Sequence, residues 1–507
     1  MRSYDLTERL LTELQRPDGP HALAPLNRRL YHVLRETILA GHLEAGTRLP
    51  STRALACELA LSRNTVMSAI SQLVAEGYLS AQQGSGTYVS DTLPDQRPLT
   101  PPASAAKRAP AADNPRDLSD RGALLTRHSG SQDYEVQPFA PGALDFADFP
   151  IQLWQKLQTK YWRSLDRNLL DYGQEGGYMP LREAIARYLT LSRSVRVTPA
   201  QVLITTGTQQ AIDLAARLLT DHGDEAWIEN PSYWGARRAL EAAGLRLRPI
   251  AVDAEGIAPR EADWHTRPRL IYVTPSHQYP LGHVMSLQRR RALLEFAAQR
   301  RCWIFEDDYD SEFRYSGRPF ASLQGLDAHA QVLYSGTFSK AMYPGIRLGY
   351  LVVPPDLLAA FNTGLYDLYR PGQLMLQAAL TDFITEGHLQ TMVRRLRVTY
   401  QARRDALARS LVQALGARVR ISGQDSGLHL CLVFTDDAVD DEAVAAACAA
   451  HRLFVRPLSR YYLGAPHQRG LVIGYAYVPI ERITPWARRL GEVVRAAVDA
   501  ANGAAAA

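Results

Sequence analysis

An apolar segment that ends in a cluster of acids is the feature of this sequence that most limits its fold. Residues 302–310 read Cys-Trp-Ile-Phe-Glu-Asp-Asp-Tyr-Asp, and residues 331–334 read Gln-Val-Leu-Tyr. Continuous apolar runs of this kind are typical of parallel strands that are buried on both faces. Ligands of open α/β sheets bind at the carboxyl ends of such strands. The sequence therefore predicts an α/β domain whose functional groups lie just after these two segments.

A single lysine follows the second segment. The chain has 57 lysines and arginines but only four lysines, at Lys107, Lys156, Lys160 and Lys340. Arginine can replace lysine in ion pairs and phosphate contacts, but it cannot act as an amine that condenses with an aldehyde. We therefore predict that Lys340, in Ser-Gly-Thr-Phe-Ser-Lys, forms a Schiff base.

The acids of residues 302–310 suit a pyridoxal phosphate cofactor. This cofactor needs an acid against its pyridine nitrogen, so that the ring stays protonated and withdraws electrons. We expect Asp307 in that position, and the hydroxyl of Tyr309 at the phenolic oxygen of the ring. The alternative for Asp307 is an ordinary solvated acid at a strand end.

Three segments offer donors for the cofactor phosphate. Residues 202–205 predict a strand, and the turn after it begins an amphipathic helix. Free amides and the positive dipole end of a helix favour a bound anion. The candidate phosphate ligands are Gly207, Thr208 and Gln209 in this turn, Thr337 and Ser339 beside the lysine, and Arg347, which can offer two parallel hydrogen bonds.

The order of turn, acid, lysine and arginine resembles that of fold-type I pyridoxal-phosphate enzymes, the aspartate-aminotransferase class, over roughly residues 135 to 500. The resemblance implies a homodimer with its site at the interface. It also implies that Tyr233 stacks on the cofactor ring and that Tyr172 reaches the phosphate held by the partner subunit. One segment departs from the enzymes' Asn-Pro-x-Asn-Pro-Thr-Gly, since residues 274–282 read Thr-Pro-Ser-His-Gln-Tyr-Pro-Leu-Gly. The asparagine at the ring oxygen is absent, which leaves His277 or Gln278 in its place and weighs against efficient transamination.

A second domain is predicted near the other end of the chain. The helix predicted over residues 26–40 has apolar residues on one face, at Leu30, Val33, Leu34 and Ile38. Ser51 is a candidate N-cap for a second, short helix, and Ser62 for a third. Residues 77–79 and 84–89 then predict a hairpin with a glycine-bearing tip. This order is the winged helix-turn-helix plan, in which the start of the recognition helix enters a major groove.

The same stretch is similar to the DNA-binding heads of the GntR family. Its motifs are Pro-Ser-Thr-Arg-Ala-Leu-Ala at residues 50–56, Ser-Arg-Asn-Thr-Val at 62–66, and Glu-Gly-Tyr-Leu at 76–79 followed by a glycine-rich tip. The resemblance implies double-stranded DNA contacts from Arg53, Ser62, Arg63, Asn64, Thr65 and, at the wing tip, Gly86. Ile70 stands where the subfamily usually has an aromatic, so we expect a local change in core packing.

The charge of this head is modest. Residues 26–90 contain six arginines and four acids, so DNA binding must depend on the placement of the charges rather than on a strong basic field. A helical dimerisation module that binds no DNA is the alternative.

A GntR-type head joined to an aminotransferase-like body is typical of the MocR subfamily of bacterial regulators, which the chain resembles over almost its whole length. Residues 306–315 and 275–278 belong to the same pattern. Members of the subfamily use bound pyridoxal phosphate, often with an amine or amino acid, to control transcription. The implied organisation is a multidomain chain with an N-terminal extension (1–24), a winged helix-turn-helix domain (25–90), a Pro/Ala-rich linker (91–133) and a fold-type I α/β body of two lobes (134–502).

Three functions remain open. The first is a regulator that senses an amine or amino acid at Lys340, the second a regulator that senses pyridoxal phosphate itself and controls its synthesis, and the third an aminotransferase with a vestigial head. We favour the first, with the body acting as a sensor rather than an enzyme. An effector carboxylate needs an arginine, and the resemblance to a GABA-responsive member suggests Arg237. Either Arg456 or Arg460 is a second candidate, with Arg456 preferred because it ends an apolar strand.

The sequence argues against a membrane protein, a secreted protein and a cysteine-based metal site. No apolar run approaches the length of a membrane span and no signal peptide is present, so we expect a cytoplasmic protein. The four cysteines, Cys57, Cys302, Cys431 and Cys448, show no metal-ligand spacing, and we expect no metal.

Overall fold

The computed structural model describes residues 3–15, 24–82, 85–92, 118–126, 137–164, 166–173, 175–317 and 321–505. The chain divides into two compact units, Met1–Asp117, here called the head, and Leu118–Ala507, here called the body. Most of the predicted linker lies outside the described residues. None of the described helices combines the length and the hydropathy that crossing a bilayer requires.

The head has the predicted order of helices followed by a hairpin. Its elements are α1 (Ser3–Gln15), α2 (Leu26–Leu39), α3 (Thr52–Glu58), α4 (Arg63–Ala75), β1 (Leu79–Gln82) and β2 (Gly86–Val89). Both predicted N-caps are confirmed, since Ser51 accepts a 3.1 Å hydrogen bond from the amide of Ala54, and Ser62 accepts one of 3.1 Å from that of Thr65. These caps occupy amides that a helix start leaves without intrahelical partners.

Helix α1 belongs to the core of the head, a role that the sequence did not suggest for residues 1–24. Leu6, Leu10 and Leu14 recur every fourth residue, and all three are buried in one cluster with the apolar face of α2. The hydroxyl of Thr7 also donates a 2.5 Å hydrogen bond to Glu58 at the end of α3. Ile70 is buried in the same cluster.

The body alternates strands and helices, as a parallel sheet requires. In its first part the elements are α5 (Asp120–Thr126), α6 (Ile151–Ser164), α7 (Met179–Arg193), β3 (Val202–Thr205), α8 (Thr208–Leu219), β4 (Glu225–Asn230), α9 (Trp234–Ala242), β5 (Arg246–Asp253), β6 (Gly256–Ile257), α10 (Glu261–Trp264), β7 (Leu270–Val273), α11 (Leu287–Arg300), β8 (Trp303–Asp308), α12 (Leu323–Leu326), β9 (Val332–Thr337) and β10 (Gly349–Val352). In its second part they are α13 (Leu358–Tyr369), α14 (Leu374–Thr385), α15 (His388–Leu415), β11 (Val419–Ser422), β12 (His429–Phe434), α16 (Asp441–Ala450), β13 (Arg456–Pro457), β14 (Gly470–Gly474) and α17 (Ile480–Ala505). Helix α5 falls inside the predicted linker but packs against α9 of the body.

The large lobe is built on a mixed sheet. Among the described residues its strand order is β3-β10-β9-β8-β7-β4-β5-β6. Strands β9, β8, β7, β4 and β5 are parallel, whereas β10 is antiparallel to both of its neighbours. Strands β8 and β9 are thus adjacent and parallel, as their apolar sequences predict, and their carboxyl ends meet at one edge of the sheet.

The small lobe is built on a second sheet. Its described strands are antiparallel in the order β11-β12-β14-β13. Helices α15 and α17 pack against each other, and side chains from both join one apolar core with β12 and β14. This lobe contributes β12 and β13, which carry His429 and Arg456.

Candidate functional site

Two strands position the predicted acid at the edge of the large sheet. Asp307 lies near the end of β8 and pairs in register with Ser335 of β9. Its Oδ2 accepts a 2.7 Å hydrogen bond from the hydroxyl of Tyr272, on the other neighbouring strand, β7. Its Oδ1 is buried and has no hydrogen-bond partner within the described part of the chain. The carboxyl group is therefore held in place with one oxygen left to accept a hydrogen bond.

Burial also determines the protonation of Asp307. Removal from water raises its pKa to about 7, and the charges of Asp308 and Asp310 act in the same direction, whereas the hydroxyls of Tyr272 and, more weakly, Thr208 oppose them. A cationic group beside Oδ1 would favour the carboxylate. A protonated ring nitrogen has the charge and the donor that this position lacks.

The turn before α8 has the geometry of an anion site. Gly207 has φ +117°, which disfavours any residue with a side chain, and it precedes the first helical residue, Thr208. A Cβ at Gly207 would lie 3.7 Å from Nη1 of Arg347, so the guanidinium lies beside the turn. Arg347 itself has φ +48°, an uncommon conformation for arginine that is often found at functional sites. The Thr208 hydroxyl oxygen is buried and makes no hydrogen bond of ordinary geometry among the described residues, but it lies close enough to Asp307 to lower the pKa of that carboxyl group.

The other predicted phosphate ligands have local partners. The side-chain amide of Gln209 donates a 2.6 Å hydrogen bond to the carbonyl of Gly235. The hydroxyl of Thr337, at the end of β9, accepts a 3.1 Å hydrogen bond from the amide of Ser339. Gln209 thus ties α8 to α9, and Thr337 shapes the turn that leads to Lys340.

Lys340 is partly buried between the two lobes. Burial lowers the pKa of its amine, and the charge of Arg456 lowers it further, whereas Asp310 and Asp307 oppose the shift. A Cβ at Gly142 would lie 3.1 Å from Nζ, so the backbone passes close to the amine there. An amine with a lowered pKa is more often unprotonated and nucleophilic.

The hydroxyl of Tyr309 is engaged by His277. It lies 3.0 Å from Nδ1 and 3.0 Å from the backbone oxygen of His277. The same Nδ1 lies 3.0 Å from Oδ2 of Asp310. Gln278, the other candidate for the position of the missing asparagine, uses its amide to bind the carbonyl oxygens of Pro231 and Tyr279, each at 2.8 Å.

His277 and Asp310 also form, with His429, a buried group of potential metal ligands whose nearest atoms lie within 4.8 Å of one another. Nδ1 of His277 already contacts Asp310, and Nε2 of His429 lies 3.0 Å from the carbonyl oxygen of Pro280. Hydrogen bonds therefore involve all three side chains.

The two predicted tyrosines lie in different environments. The ring of Tyr233 lies against Gly235, where a Cβ would come within 2.4 Å of it, and it meets the ring of Tyr279 edge-on at 5.9 Å. Tyr172 is 61% exposed in the single chain. That exposure leaves Tyr172 accessible to a second molecule.

The three candidate effector arginines differ in their contacts. Arg237 forms a 2.8 Å ion pair with Glu241 within α9, and Arg460 forms one of 3.1 Å with Glu442. Arg456, in β13, is the one of the three whose charge acts on Lys340, and it also affects the pKa of Tyr279. The structure therefore brings Arg456 into the same electrostatic environment as the lysine.

The candidate DNA contacts lie at helix starts and at the wing of the head. Arg53 is in the first turn of α3, and Arg63 and Asn64 begin α4, with all three side chains at least partly exposed. The hydroxyls of Ser62 and Thr65 lie 2.8 Å apart. Gly86 has φ +131°, and a Cβ there would lie 2.9 Å from Nε of Arg48.

Several residues near these sites were missed by the sequence analysis, because nothing in their local sequence marks them as functional. Tyr272 lies inside an apolar strand, and its contact with Asp307 depends on the pairing of β7 with β8. Gly142 lies far from Lys340 in the sequence. Arg48 forms a bridge to Tyr88 and thereby extends the wing by a third short segment. Asp310 belongs to the acidic run that the sequence analysis singled out. Its contact with His277 was not predicted, because the two residues are 33 positions apart in the sequence.

Comparisons with known proteins match both units. Residues 138–490 match the model of the aminotransferase class I and II family, and residues 26–89 match that of the gntR family of bacterial regulatory proteins. The probable rhizopine catabolism regulatory protein MocR of Rhizobium meliloti is 40% identical over 89% of this chain and 90% of its own. The HTH-type pyridoxine biosynthesis transcriptional regulator PdxR of Corynebacterium glutamicum is 30% identical over 92% of this chain and 95% of its own.

A solved structure shows the fold of the body. The α-aminoadipate aminotransferase LysN from Thermus thermophilus, complexed with N-(5'-phosphopyridoxyl)-L-leucine, aligns with a TM-score of 0.69 and 24% identity. The alignment covers 75% of this chain and 98% of LysN. With both family models matched, and with relatives that span nearly the whole sequence, the chain belongs to the MocR subfamily of GntR-type bacterial transcription regulators, in which a winged helix-turn-helix domain is joined to a fold-type I aminotransferase-like domain.

Proposed function

We propose that this regulator holds pyridoxal 5'-phosphate as a Schiff base on Lys340 and changes its binding to operator DNA when an amine or amino acid enters the site. The observation that carries the proposal is the buried Asp307, near the end of the strand beside the one that leads to Lys340. Its Oδ1 makes no hydrogen bond of ordinary geometry among the described residues. When bound, the cofactor supplies an aldehyde carbon that an amine can attack.

The residues present suit both ends of this cofactor. Asp307 would accept a hydrogen bond from the ring nitrogen. Gly207, Thr208 and Arg347 would bind the phosphate through backbone amides, a hydroxyl and a guanidinium. Tyr233 would stack on the ring, and Tyr309 would donate to its phenolic oxygen. Ser339 and Gln209 complete the proposed surroundings, with Tyr172 supplied by a second subunit of a homodimer.

The amine is proposed to carry a carboxylate or another anionic group. Arg456 supports this, because its charge acts on Lys340. We therefore assign the anion to Arg456.

The head is proposed to bind double-stranded operator DNA in the cytoplasm. Arg53, Arg63 and Asn64 are accessible at two helix starts, where a recognition helix offers its first turn to a major groove. Gly86 and Arg48 lie on the wing, which would follow the backbone of the DNA.

A regulator of pyridoxal phosphate synthesis is the second candidate. The similarity to PdxR, a pyridoxine biosynthesis regulator, favours it. In that case occupancy of Lys340 would itself be the signal, and no amine would be needed.

Reductive trapping tests the proposed attachment. Pyridoxal phosphate is added to the purified protein, borohydride fixes the Schiff base, and peptide mass spectrometry locates the added group. One adduct per chain on Lys340 is expected, with none in Lys340→Ala and an unchanged yield in Lys156→Ala, which removes an exposed lysine instead. Equal labelling of several lysines, or undiminished labelling of Lys340→Ala, would overturn the proposal.

A further inference from the structure

The hydroxyl of Tyr309 has two competing partners in this fold. Both lie on His277, at 3.0 Å, and they are Nδ1 of the ring and the backbone oxygen. A tyrosine hydroxyl has one hydrogen to donate. The backbone oxygen can always accept that hydrogen, whereas Nδ1 can accept it only when Nδ1 carries no proton. The protonation of His277 therefore decides whether its ring competes with a ligand for the Tyr309 hydrogen.

We propose that the His277–Asp310 pair is a positioning unit for the Tyr309 hydroxyl, and that it replaces the asparagine found in related enzymes. Asp310 accepts from Nδ1 at 3.0 Å and thereby keeps the proton on that nitrogen. A protonated Nδ1 can only donate, so Tyr309 cannot donate to it. The backbone oxygen of His277 is then the one acceptor that His277 still offers to the Tyr309 hydrogen. The ring oxygen of the cofactor would compete with that carbonyl and not with Nδ1 as well.

Packing holds the pair in this geometry. The side chains of His277 and Asp310 are 0% and 2% exposed. A Cβ at Gly427 of the small lobe would lie 1.9 Å from Cε1 of His277 and 2.8 Å from Oδ2 of Asp310, so only glycine leaves room for them. The backbone at Gly427 thus packs directly against the ring and the carboxylate.

Other titratable groups lie near the pair, and Lys340 interacts electrostatically with both Asp310 and His429. The ring of His429 of β12 lies 4.9 Å from that of His277, measured between centroids, and burial lowers the pKa of His429 well below the ordinary value, so it is neutral there. Burial also lowers the pKa of His283, on the same loop as His277. Nε2 of His277 is buried without a hydrogen-bond partner among the described residues. Asp310 is therefore the group that selects the tautomer.

Gln278 does not compete for this role. Its amide nitrogen donates to two carbonyl oxygens at 2.8 Å, and its amide oxygen accepts a 3.1 Å hydrogen bond from Leu281. Those bonds hold the loop together and tie it to Pro231, just after β4, and breaking them would leave buried polar groups unsatisfied.

The tautomer is tested first without cofactor, so that the result does not depend on the proposed function. Long-range ¹H–¹⁵N spectra of protein labelled at histidine report which ring nitrogen carries the proton, and the His277 signal is assigned by its loss in His277→Asn. We expect a proton on Nδ1 that is lost or shared in Asp310→Asn. A proton on Nε2 alone would overturn the inference, because Nδ1 would then accept from Tyr309.

Two amide substitutions at His277, together with Asp310→Asn, then separate positioning from packing in the protein loaded with pyridoxal phosphate. Asparagine places an amide nitrogen where Nδ1 lies, whereas glutamine reaches the place of Nε2. A donor to the ring oxygen stabilises negative charge there. Its loss should raise the pH midpoint of the bound cofactor's visible band by about one unit. We expect this shift in His277→Gln and Asp310→Asn, and a midpoint near wild type in His277→Asn.

The outcomes distinguish this inference from the proposed function, on which its cofactor part rests. Absence of any cofactor band in wild type would count against the proposed function and leave the tautomer result standing. A normal band whose midpoint is the same in Gln and Asn variants would overturn the positioning role. Thermal unfolding of each variant identifies those that fail to fold. If a variant fails, the ¹H–¹⁵N spectrum of the wild-type protein still shows whether Nδ1 of His277 carries the proton.

Discussion

The hydroxyl of Tyr272 donates a 2.7 Å hydrogen bond to Oδ2 of Asp307, and this buried contact joins the parallel strands β7 and β8. It fixes the orientation of the carboxyl group and leaves Oδ1 facing no partner among the described residues. A strand-end acid that was solvated would have neither property. The contact and the burial therefore rule out the alternative of an ordinary solvated acid, and they agree with the cofactor role that we propose for Asp307.

Asp307→Asn should change how the stability of the cofactor-free protein depends on pH. Because the pKa of Asp307 in the fold is about 7, above the ordinary 3.8, the folded body binds this proton more tightly than the unfolded chain does. The resulting stability is complete below about pH 4 and is lost as the pH rises towards 7, by up to about 4 kcal/mol. The variant should lack this loss.

Thermal unfolding at pH 4 to 8 measures the difference. Asp356→Asn, at an exposed position, is the matched control and should keep the wild-type slope. Parallel slopes for wild type and Asp307→Asn would show that this carboxyl group is not the one that titrates.

Arg63→Ala should weaken operator binding without affecting the cofactor. The exposed arginine starts α4, and removal of one phosphate contact should lower the slope of log K against log salt by about one. Fluorescence anisotropy at several salt concentrations measures this slope, with Arg9→Ala on α1 as the control. A bleached cofactor band in Arg63→Ala would contradict the separation of head and body.

Leu10→Ala should destabilise the head, because Leu10 is fully buried in its core. We expect a loss of about 2–5 kcal/mol, the usual range for such a truncation. The loss of stability is measured by chemical denaturation, with DNA binding as the signal that reports the folded head. Thr12→Ala, on the exposed face of α1, is the control. A change below about 0.5 kcal/mol would mean that α1 is not part of the folded head.

Arg456→Gln should weaken the response to an effector amino acid about tenfold or more, while Arg460→Gln should leave it nearly unchanged. Loss of a charged hydrogen bond accounts for a change of this size. Titration of the cofactor band gives the affinities. If Arg460→Gln weakened the response more than Arg456→Gln, the anion would be bound by Arg460 instead.

Local patterns predicted most of the elements that carry the site. The apolar runs predicted β8 and β9 as parallel strands, and Ser51 and Ser62 were found as helix caps because capping depends on residues close in sequence. The role of α1 was missed, since its leucines gain meaning only from the face of α2 that they cover. Tyr272 and Gly142 were missed for the same reason, because their contacts with Asp307 and Lys340 arise from the tertiary fold.

The residue that takes the place of the enzymes' ring-oxygen asparagine shows more clearly what sequence patterns cannot predict. The sequence left His277 and Gln278 as equal candidates, since both lie in the altered segment. The structure separates them through their partners, because Gln278 binds the carbonyl oxygens of Pro231 and Tyr279, whereas His277 contacts both Tyr309 and Asp310. Such a distinction requires side-chain directions that no periodicity encodes.

Titration of the purified protein's visible absorption with amines, amino acids and a keto acid, with operator binding followed in the same samples, tests the central claim most directly. The account predicts that one ligand shifts the cofactor band once, in proportion to protein, and changes DNA affinity, and that Lys340→Ala loses both responses but still binds DNA. Repeated cycling of the band with accumulation of a new amino acid would contradict it and identify an enzyme. A DNA response to pyridoxal phosphate alone, with no ligand affecting the band, would instead make the cofactor the signal.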